Sequence, residues 1–180
     1  FLVDAGPNLP AIMNALGISV SEIEGIFHTH SHDDHFAGLP TLMQTDHRIR
    51  YFATPLVRAA VTKKLTAMLG VEEREFEHYF DIHDLDVDSW NKIGGLEIRP
   101  IFSPHPVETT CFYFRAMGPK GYKTYGHMAD IASFSVLESM ITDDDTAAFA
   151  LGTLKGNSTN NSFRMDIAKW KEQCRESIDG

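Results

Sequence analysis

Residues 28–35 read His-Thr-His-Ser-His-Asp-Asp-His and follow directly on the apolar run Gly25-Ile26-Phe27. The apolar run predicts a buried strand that ends in a loop rich in metal-binding groups. Alternation along an extended segment points the first two ligands the same way, and the other two follow after the chain turns. The spacing therefore provides one pair of ligands for each of two metal ions. The four candidate ligands are His30, His32, Asp34 and His35.

Apolar runs alternate with helical segments along the chain, which is typical of an α/β (α+β) fold with helices packed on sheets. Pro and Gly mark several of the element ends, because Pro suits the first helical turn and Gly the end of a helix. The predicted helices are 9–16, 39–45, 55–69, 133–141 and 166–177. The predicted strands are 1–6, 25–29, 50–53, 96–102, 110–114, 123–125 and 147–154.

The helix predicted over 55–69 has Leu56, Ala60, Leu65 and Leu69 as its expected buried face. Residues 71–90 are acidic and aromatic, and a solvated acidic helix is their simplest interpretation. We therefore expect residues 55–90 to form a helical insertion or cover within one domain that spans residues 1–180. Such a segment suits a cover over the site or the interface of a homodimer.

Bulk composition narrows the function classes. The chain has 180 residues, 43% hydrophobic and 23% charged, and a formal net charge of −9. This acidity argues against nucleic-acid binding, which depends mostly on Lys and Arg, and favours a small-molecule substrate. No apolar run approaches the roughly 20 residues that span a bilayer, so we expect no membrane segment. Cys111 and Cys174 show no CxxC spacing, and two free thiols favour a cytoplasmic protein.

The His-rich motif His30-x-His32-x-Asp34-His35 resembles the HxHxDH signature of the metallo-β-lactamase fold superfamily. Its continuation Phe36-Ala37-Gly38-Leu39-Pro40 is similar to the ribonuclease Z and cyclic-nucleotide phosphodiesterase branch. The upstream Leu2-Val3-Asp4-Ala5-Gly6 resembles the superfamily strand whose Asp supports the metal loop. The resemblance implies an αββα sandwich of the metallo-β-lactamase type.

The same resemblance implies a role for each matching residue. His30, His32 and His105 should bind a first metal ion, with the Pro residues around His105 fixing its loop. Asp34 and His35 should bind a second ion. Asp130 occupies the place of the Asp that bridges both ions, although it also suits the N-cap of the helix that follows.

Supporting residues are implied around these ligands. Asp4 should hold a ligand histidine in its correct tautomer, and His28 is expected beside the ligands or in the core. His127 is either a proton donor or a partly buried histidine, and we favour the second interpretation.

No histidine follows His127, although the superfamily places its last ligand on a late strand. The chain also opens on the apolar residues Phe1-Leu2-Val3 without an initiator Met. We therefore expect a sequence that is truncated at both ends, with the fold incomplete at both termini. The alternative is a variant whose second metal site is weak or empty.

The expected function is that of a metal-dependent hydrolase, with a phosphodiester such as a cyclic nucleotide as the favoured substrate. A hydroxide that bridges two divalent ions would attack phosphorus, with Asp34 and Asp130 as the catalytic carboxylates. Zinc is the expected metal, with manganese and iron as alternatives. Three other functions stay open: a hydrolase of a lactone, thioester or other carbonyl ester, a di-iron redox or oxygen-binding relative on the same fold, and a domain that has lost catalysis and serves as a binding or regulatory module.

Overall fold

The computed structural model describes residues 1–132, and they form two four-stranded sheets with helices on the outer face of the first sheet. The predicted helices 133–141 and 166–177 and the predicted strand 147–154 lie outside the described residues. The helices are α1 (Leu9–Leu16), α2 (Asp33–Phe36), α3 (Leu39–Leu42), α4 (Pro55–Leu69) and α5 (Phe76–Tyr79). The strands are β1 (Leu2–Val3), β2 (Gly25–Phe27), β3 (Ile49–Ala53), β4 (Phe80–Asp84), β5 (Asn91–Ile93), β6 (Leu96–Ser103), β7 (Thr109–Gly118) and β8 (Gly121–His127).

The first sheet is wholly parallel, with the strand order β1-β2-β3-β4. Its two inner strands, β2 and β3, are almost wholly buried, which explains why they appear in the sequence as short apolar runs. Helix α4 makes the crossover between β3 and β4. It begins at Pro55, where the missing N–H costs no hydrogen bond, and ends at Gly70 with φ of 69°.

Two expectations about residues 55–90 are wrong in detail. Residues 80–84 form β4, which pairs in parallel with β3, so the segment is an integral part of the sheet rather than a purely helical cover. The buried face of α4 is formed by Val57, Val61 and Leu65, whereas Leu56 is 48% exposed. Apolar residues form two stripes along the helix. Which stripe is buried depends on how the helix packs on the sheet.

The second sheet is antiparallel, with the order β5-β6-β7-β8. Phe27 and Phe52 of the first sheet pack against Ile98 and Phe112 of the second in one buried cluster. The rings of Phe27 and Phe52 stack with their centroids 4.7 Å apart. This apolar interface holds the ends of β2 and β6 close together, and both strands lead into the loops that carry the candidate ligands. Within residues 1–132, no helix is long and apolar enough to cross a membrane.

Candidate metal centre

The His-rich loop lies at the carboxyl ends of the parallel strands. It leaves β2 beside β1 and β3, because the backbone N–H of Asp4 donates to the carbonyl of Phe27 at 2.8 Å. The N–H of His28 likewise donates to the carbonyl of Phe52 at 2.9 Å. His32 itself is extended, with φ of −74° and ψ of 151°, and precedes the first turn of α2. Loops at this edge of a parallel sheet are where α/β proteins commonly bind ligands.

Three imidazoles converge on one point. Nδ1 of His32 lies 3.1 Å from Nε2 of His30 and 3.0 Å from Nε2 of His105. Oδ2 of Asp130 lies 3.9 Å from Nε2 of His30 and 3.8 Å from Nε2 of His105. Ligand atoms of these four residues all lie within 4.8 Å of one another. The structure therefore brings together the four residues predicted around the first metal ion.

A second group of donors lies beside the first and shares Asp130 with it. Nε2 of His35 is 3.5 Å from Oδ1 of Asp130 and 3.5 Å from Oδ2 of Asp34. The two carboxylate oxygens of Asp130 thus face different groups, Oδ2 the three imidazoles and Oδ1 His35. Asp130 therefore lies where a carboxylate shared by two ions would lie, and its bridging role stays a prediction.

The chemistry of the first donor set fits a divalent metal ion. Tetrahedral zinc with Zn–N distances of about 2.0–2.1 Å keeps its ligand nitrogens roughly 3.3–3.4 Å apart. The two N···N distances at His32 are shorter than this by a few tenths of an ångström. Three imidazoles with a carboxylate are a ligand set that zinc, iron and manganese can each use. Within residues 1–132, the second donor group is looser, because Asp34 is 76% exposed and is not among the metal-capable side chains whose ligand atoms all lie within 4.8 Å of one another.

Asp4 contacts the residues that position both donor groups. Its φ of 60° turns the chain sharply after β1, a conformation that Asp tolerates better than most residues. Oδ1 accepts the backbone N–H of Thr29 at 2.7 Å, and Oδ2 accepts the Thr29 hydroxyl at 2.6 Å. Oδ2 also lies 2.8 Å from Nδ1 of His35. Burial opposes ionisation of Asp4, but hydrogen bonds from His35 and Thr29 and the proximity of His28 lower its pKa below the ordinary value.

The surroundings shift the pKa values of the imidazoles in opposite directions. Burial lowers the pKa of His30 to about 4, with a further contribution from His35, so this ring is neutral at pH 7. Burial also lowers the pKa of His105. The hydrogen bond to Asp4 instead raises the pKa of His35. A neutral imidazole can offer a lone pair to a metal ion, which suits His30 and His105 for ligation.

Two predicted supporting histidines lie outside both donor groups. His28 is fully buried, its ring stacks on Tyr51, and its Nε2 lies 3.9 Å from Oδ1 of Asp4. Burial lowers the pKa of His28 to about 4. His127 ends β8 opposite Phe112 and is half-buried. Among residues 1–132, the groups of metal-capable side chains do not include His28 or His127.

Sequence reasoning missed several residues that position the ligands. The Ser103 hydroxyl, fully buried at the end of β6, donates to the carbonyl of Asp130 at 2.8 Å. The Lys64 ammonium donates to the carbonyl of Ser31, inside the His-rich loop, at 2.6 Å. These contacts join residues that are far apart in sequence, and no local pattern marks them. The adjacent Thr29 could have been found, because it stands between two histidines of the motif.

Two glycines allow the turn after β1 to approach the His-rich loop. A Cβ on Gly38 would meet the carbonyl oxygens of Gly6 and Ala5, and a Cβ on Gly6 would meet the carbonyl oxygen of Asp34. The close approach is fixed by two hydrogen bonds of 2.7 Å, from Ala5 N–H to the His35 carbonyl and from Gly38 N–H to the Ala5 carbonyl. Asp4 reaches the ligands because these backbones touch.

Similar solved structures define the class of fold. The chain superposes on the metallo-beta-lactamase fold protein YhfI from Bacillus subtilis with a TM-score of 0.50 and 14% identity, covering 77% of this chain and 54% of that one. It superposes on a B3 metallo-beta-lactamase with an active-site glutamic acid with a TM-score of 0.51 and 16% identity, covering 84% and 60%. The chain has the metallo-β-lactamase fold, and the predicted fold class is confirmed.

The chain belongs to the family described as anti-Pycsar protein Apyc1, whose family model matches residues 1–133. The matched range includes every candidate metal ligand. A relative, the cAMP/cGMP-dependent 3′,5′-cAMP/cGMP phosphodiesterase B of Dictyostelium discoideum, is 24% identical over 122 residues. That match covers 68% of this chain and 11% of the relative, so the chain spans about a tenth of that protein's length.

Proposed function

We propose that this protein is a metal-dependent hydrolase that cleaves a small phosphodiester, with a cyclic nucleotide as the favoured substrate. The observation that carries the proposal is the convergence of three imidazoles on one point, with Asp130 facing both donor groups. Structural packing alone does not explain why three histidine rings present nitrogens to one another at about hydrogen-bond distance.

The roles of the residues follow from their positions. Nitrogens of His30, His32 and His105 would hold one divalent ion, and Asp34 and His35 would hold a second, with Asp130 shared. Divalent ions at such a site polarise the substrate and lower the pKa of a coordinated water to near 7. Asp130, whose side chain is 44% exposed, can accept a hydrogen bond from the attacking water and orient it. Asp34 is 76% exposed, so solvent reaches its carboxylate as well.

Three observations favour a small phosphodiester as the substrate. The net charge of −9 disfavours a polynucleotide, because such binding depends on basic residues. The relative from Dictyostelium discoideum is named as a phosphodiesterase of 3′,5′-cAMP and cGMP. The family description names an anti-Pycsar protein, and we propose the same role for this chain because the family model spans all the candidate ligands.

The test is hydrolysis by the metal-loaded full-length protein. The substrates are 3′,5′-cyclic nucleotides of the four common bases, bis-p-nitrophenyl phosphate and a lactone, assayed with zinc, manganese or iron. Replacing His32 by Ala should lower both metal content and phosphodiester hydrolysis by more than about 100-fold, since second-shell losses alone reach that size. His78→Ala is the matched control, because this histidine is 70% exposed and pairs with Glu75.

Two results would refute the proposal. Turnover of the lactone without turnover of any phosphodiester would assign a carbonyl ester as substrate. Tightly bound iron with visible absorption and no hydrolysis would instead assign a redox or oxygen-binding role.

A further inference from the structure

The fully buried Thr29 hydroxyl lies between the carboxylate of Asp4 and the ring of His30. Its Oγ1 lies 2.6 Å from Oδ2 of Asp4 and 2.9 Å from Nδ1 of His30. A hydroxyl has one proton to donate and lone pairs with which to accept. Only one assignment of donor and acceptor therefore satisfies both contacts.

The carboxylate of Asp4 can only accept when it is ionised, so the Thr29 proton is donated to Oδ2. The second contact must then be donated by Nδ1 of His30 to Oγ1. The opposite arrangement would set lone pairs of Oγ1 and Oδ2 against each other at 2.6 Å in a buried site. A neutral imidazole carries one N–H, so a proton on Nδ1 leaves Nε2 as a bare lone pair.

We propose that Thr29 is a positioning residue that fixes His30 in the tautomer with the proton on Nδ1. This tautomer directs the Nε2 lone pair of His30 at Nδ1 of His32 and Oδ2 of Asp130. Asp4 fixes His35 directly, through the 2.8 Å contact with its Nδ1. Oδ2 of Asp4 thus fixes the tautomers of two imidazoles, that of His30 through the Thr29 hydroxyl and that of His35 by direct contact.

The inference rests on the proposed function only in taking His30 to be a metal ligand. Its first test uses metal-free protein and does not depend on activity. Two-dimensional ¹H–¹⁵N spectra of the histidine rings report which nitrogen carries the proton. We expect His30 of the wild-type full-length protein to carry it on Nδ1 at neutral pH. A proton on Nε2 of His30 would overturn the proposal, whatever any variant does.

The second test compares Thr29→Val with Thr29→Ser. Valine keeps the branched shape and removes the hydroxyl, whereas serine keeps the hydroxyl. We expect T29V to lose the fixed tautomer of His30 and to bind zinc at the first donor group about 10- to 100-fold more weakly, the usual loss for a second-shell partner. We expect T29S to retain both properties, and the His35 tautomer to be the same in all three proteins.

Thr62→Val is the matched control, because Thr62 is 8% exposed and its hydroxyl has no hydrogen-bond partner within residues 1–132. If T29V keeps the His30 tautomer and its zinc affinity, the proposal is wrong. It is equally wrong if T29V loses zinc affinity while the ring spectrum of His30 stays unchanged, since that outcome indicates a purely structural role. Should T29V fail to fold, the wild-type and T29S spectra still decide the question. An absence of hydrolysis alongside the expected tautomer would count against the proposed function alone.

Discussion

Replacing Asp4 by Asn tests the view that one carboxylate supports both donor groups. Asn has nearly the same shape and tolerates the φ of 60° at this position. The carboxylate accepts three hydrogen bonds, from the N–H and hydroxyl of Thr29 and from Nδ1 of His35. The amide of Asn has one oxygen and one NH₂ group, so it cannot accept all three.

The expected loss follows from the two orientations of the amide. With its oxygen toward the Thr29 hydroxyl and His35, the NH₂ group faces the N–H of Thr29 and one bond is lost. With the amide reversed, two bonds are lost. A hydrogen bond to a charged group contributes about 1.5–3 kcal/mol. With the better orientation, D4N should lose about 1.5–3 kcal/mol of its free energy of unfolding. This is a large part of the ~5–15 kcal/mol typical of a domain.

The loss should depend on pH in a defined way. The pKa of Asp4 is lowered from 3.8, so its contribution to stability is present above that value and is lost as the pH falls through the folded-state pKa. The pKa of His35 is raised from 6.5, so its contribution is full below that value and declines as the pH rises through the folded-state pKa. The free energy of unfolding of the wild type should therefore exceed that of D4N most between pH 3.8 and 6.5.

The assay is urea unfolding of metal-free protein in EDTA at several pH values, with ring NMR for the pKa of His35. We expect that pKa to fall toward 6.5 in D4N, because the hydrogen bond that His35 donates to Asp4 is the largest cause of its rise. Asp46→Asn is the matched control, since Asp46 also pairs with a histidine but is 91% exposed. Equal stability of D4N and wild type from pH 4 to 7 would refute the reasoning.

Three further predictions concern the ligands, the close backbone contact and the metal itself. Replacing His105 by Ala should lower zinc affinity more than about 100-fold, whereas His78→Ala should not change it; equal affinities in competition titrations would exclude His105 as a ligand. Replacing Gly38 by Ala should lower the free energy of unfolding by about 1–3 kcal/mol, because its Cβ would meet the carbonyl oxygen of Gly6. Gly95→Ala, which meets nothing within 4 Å, should leave the urea midpoint almost unchanged, and equal effects of the two would contradict this account. Zinc at 100 times its Kd should stabilise the metal-free protein by about 2.7 kcal/mol, and a melting temperature that does not respond to zinc would argue against a preformed site.

The local sequence patterns predicted a helix well where Pro or Gly marks its ends. The prediction of 55–69 for α4 agrees with the observed Pro55–Leu69, because Pro starts a helix and Gly in a left-handed conformation ends one. Helix α1 was predicted with equal success, and it also ends at a glycine, Gly17, with φ of 67°. These signals act through a few neighbouring residues, so a single sequence contains them.

The predictions were wrong where the outcome depended on docking. The acidic segment 71–90 shows no clear strand pattern, yet Phe80–Asp84 becomes β4 because β3 offers an unpaired parallel edge at that place. Arg58 of α4 then contacts Asp84 through two hydrogen bonds of 2.6 and 2.9 Å. Partners that lie tens of residues apart in sequence decide this outcome.

The sequence by itself determined the fold class and the identity of the candidate ligands, since residues 28–35 gather metal-capable side chains at a spacing that packing does not explain. Only the tertiary structure decided how those ligands meet. His105 and Asp130 follow strands of the second sheet, and the edge-to-face contacts of Phe27 with Phe112 and Phe114 pack that sheet against the first, close to the loop after β2. The proton positions also depend on the fold, because Asp4 reaches Thr29 and His35 across 25 and 31 residues. A ligand's type is a property of its residue, whereas its direction and tautomer are properties of the groups packed behind it.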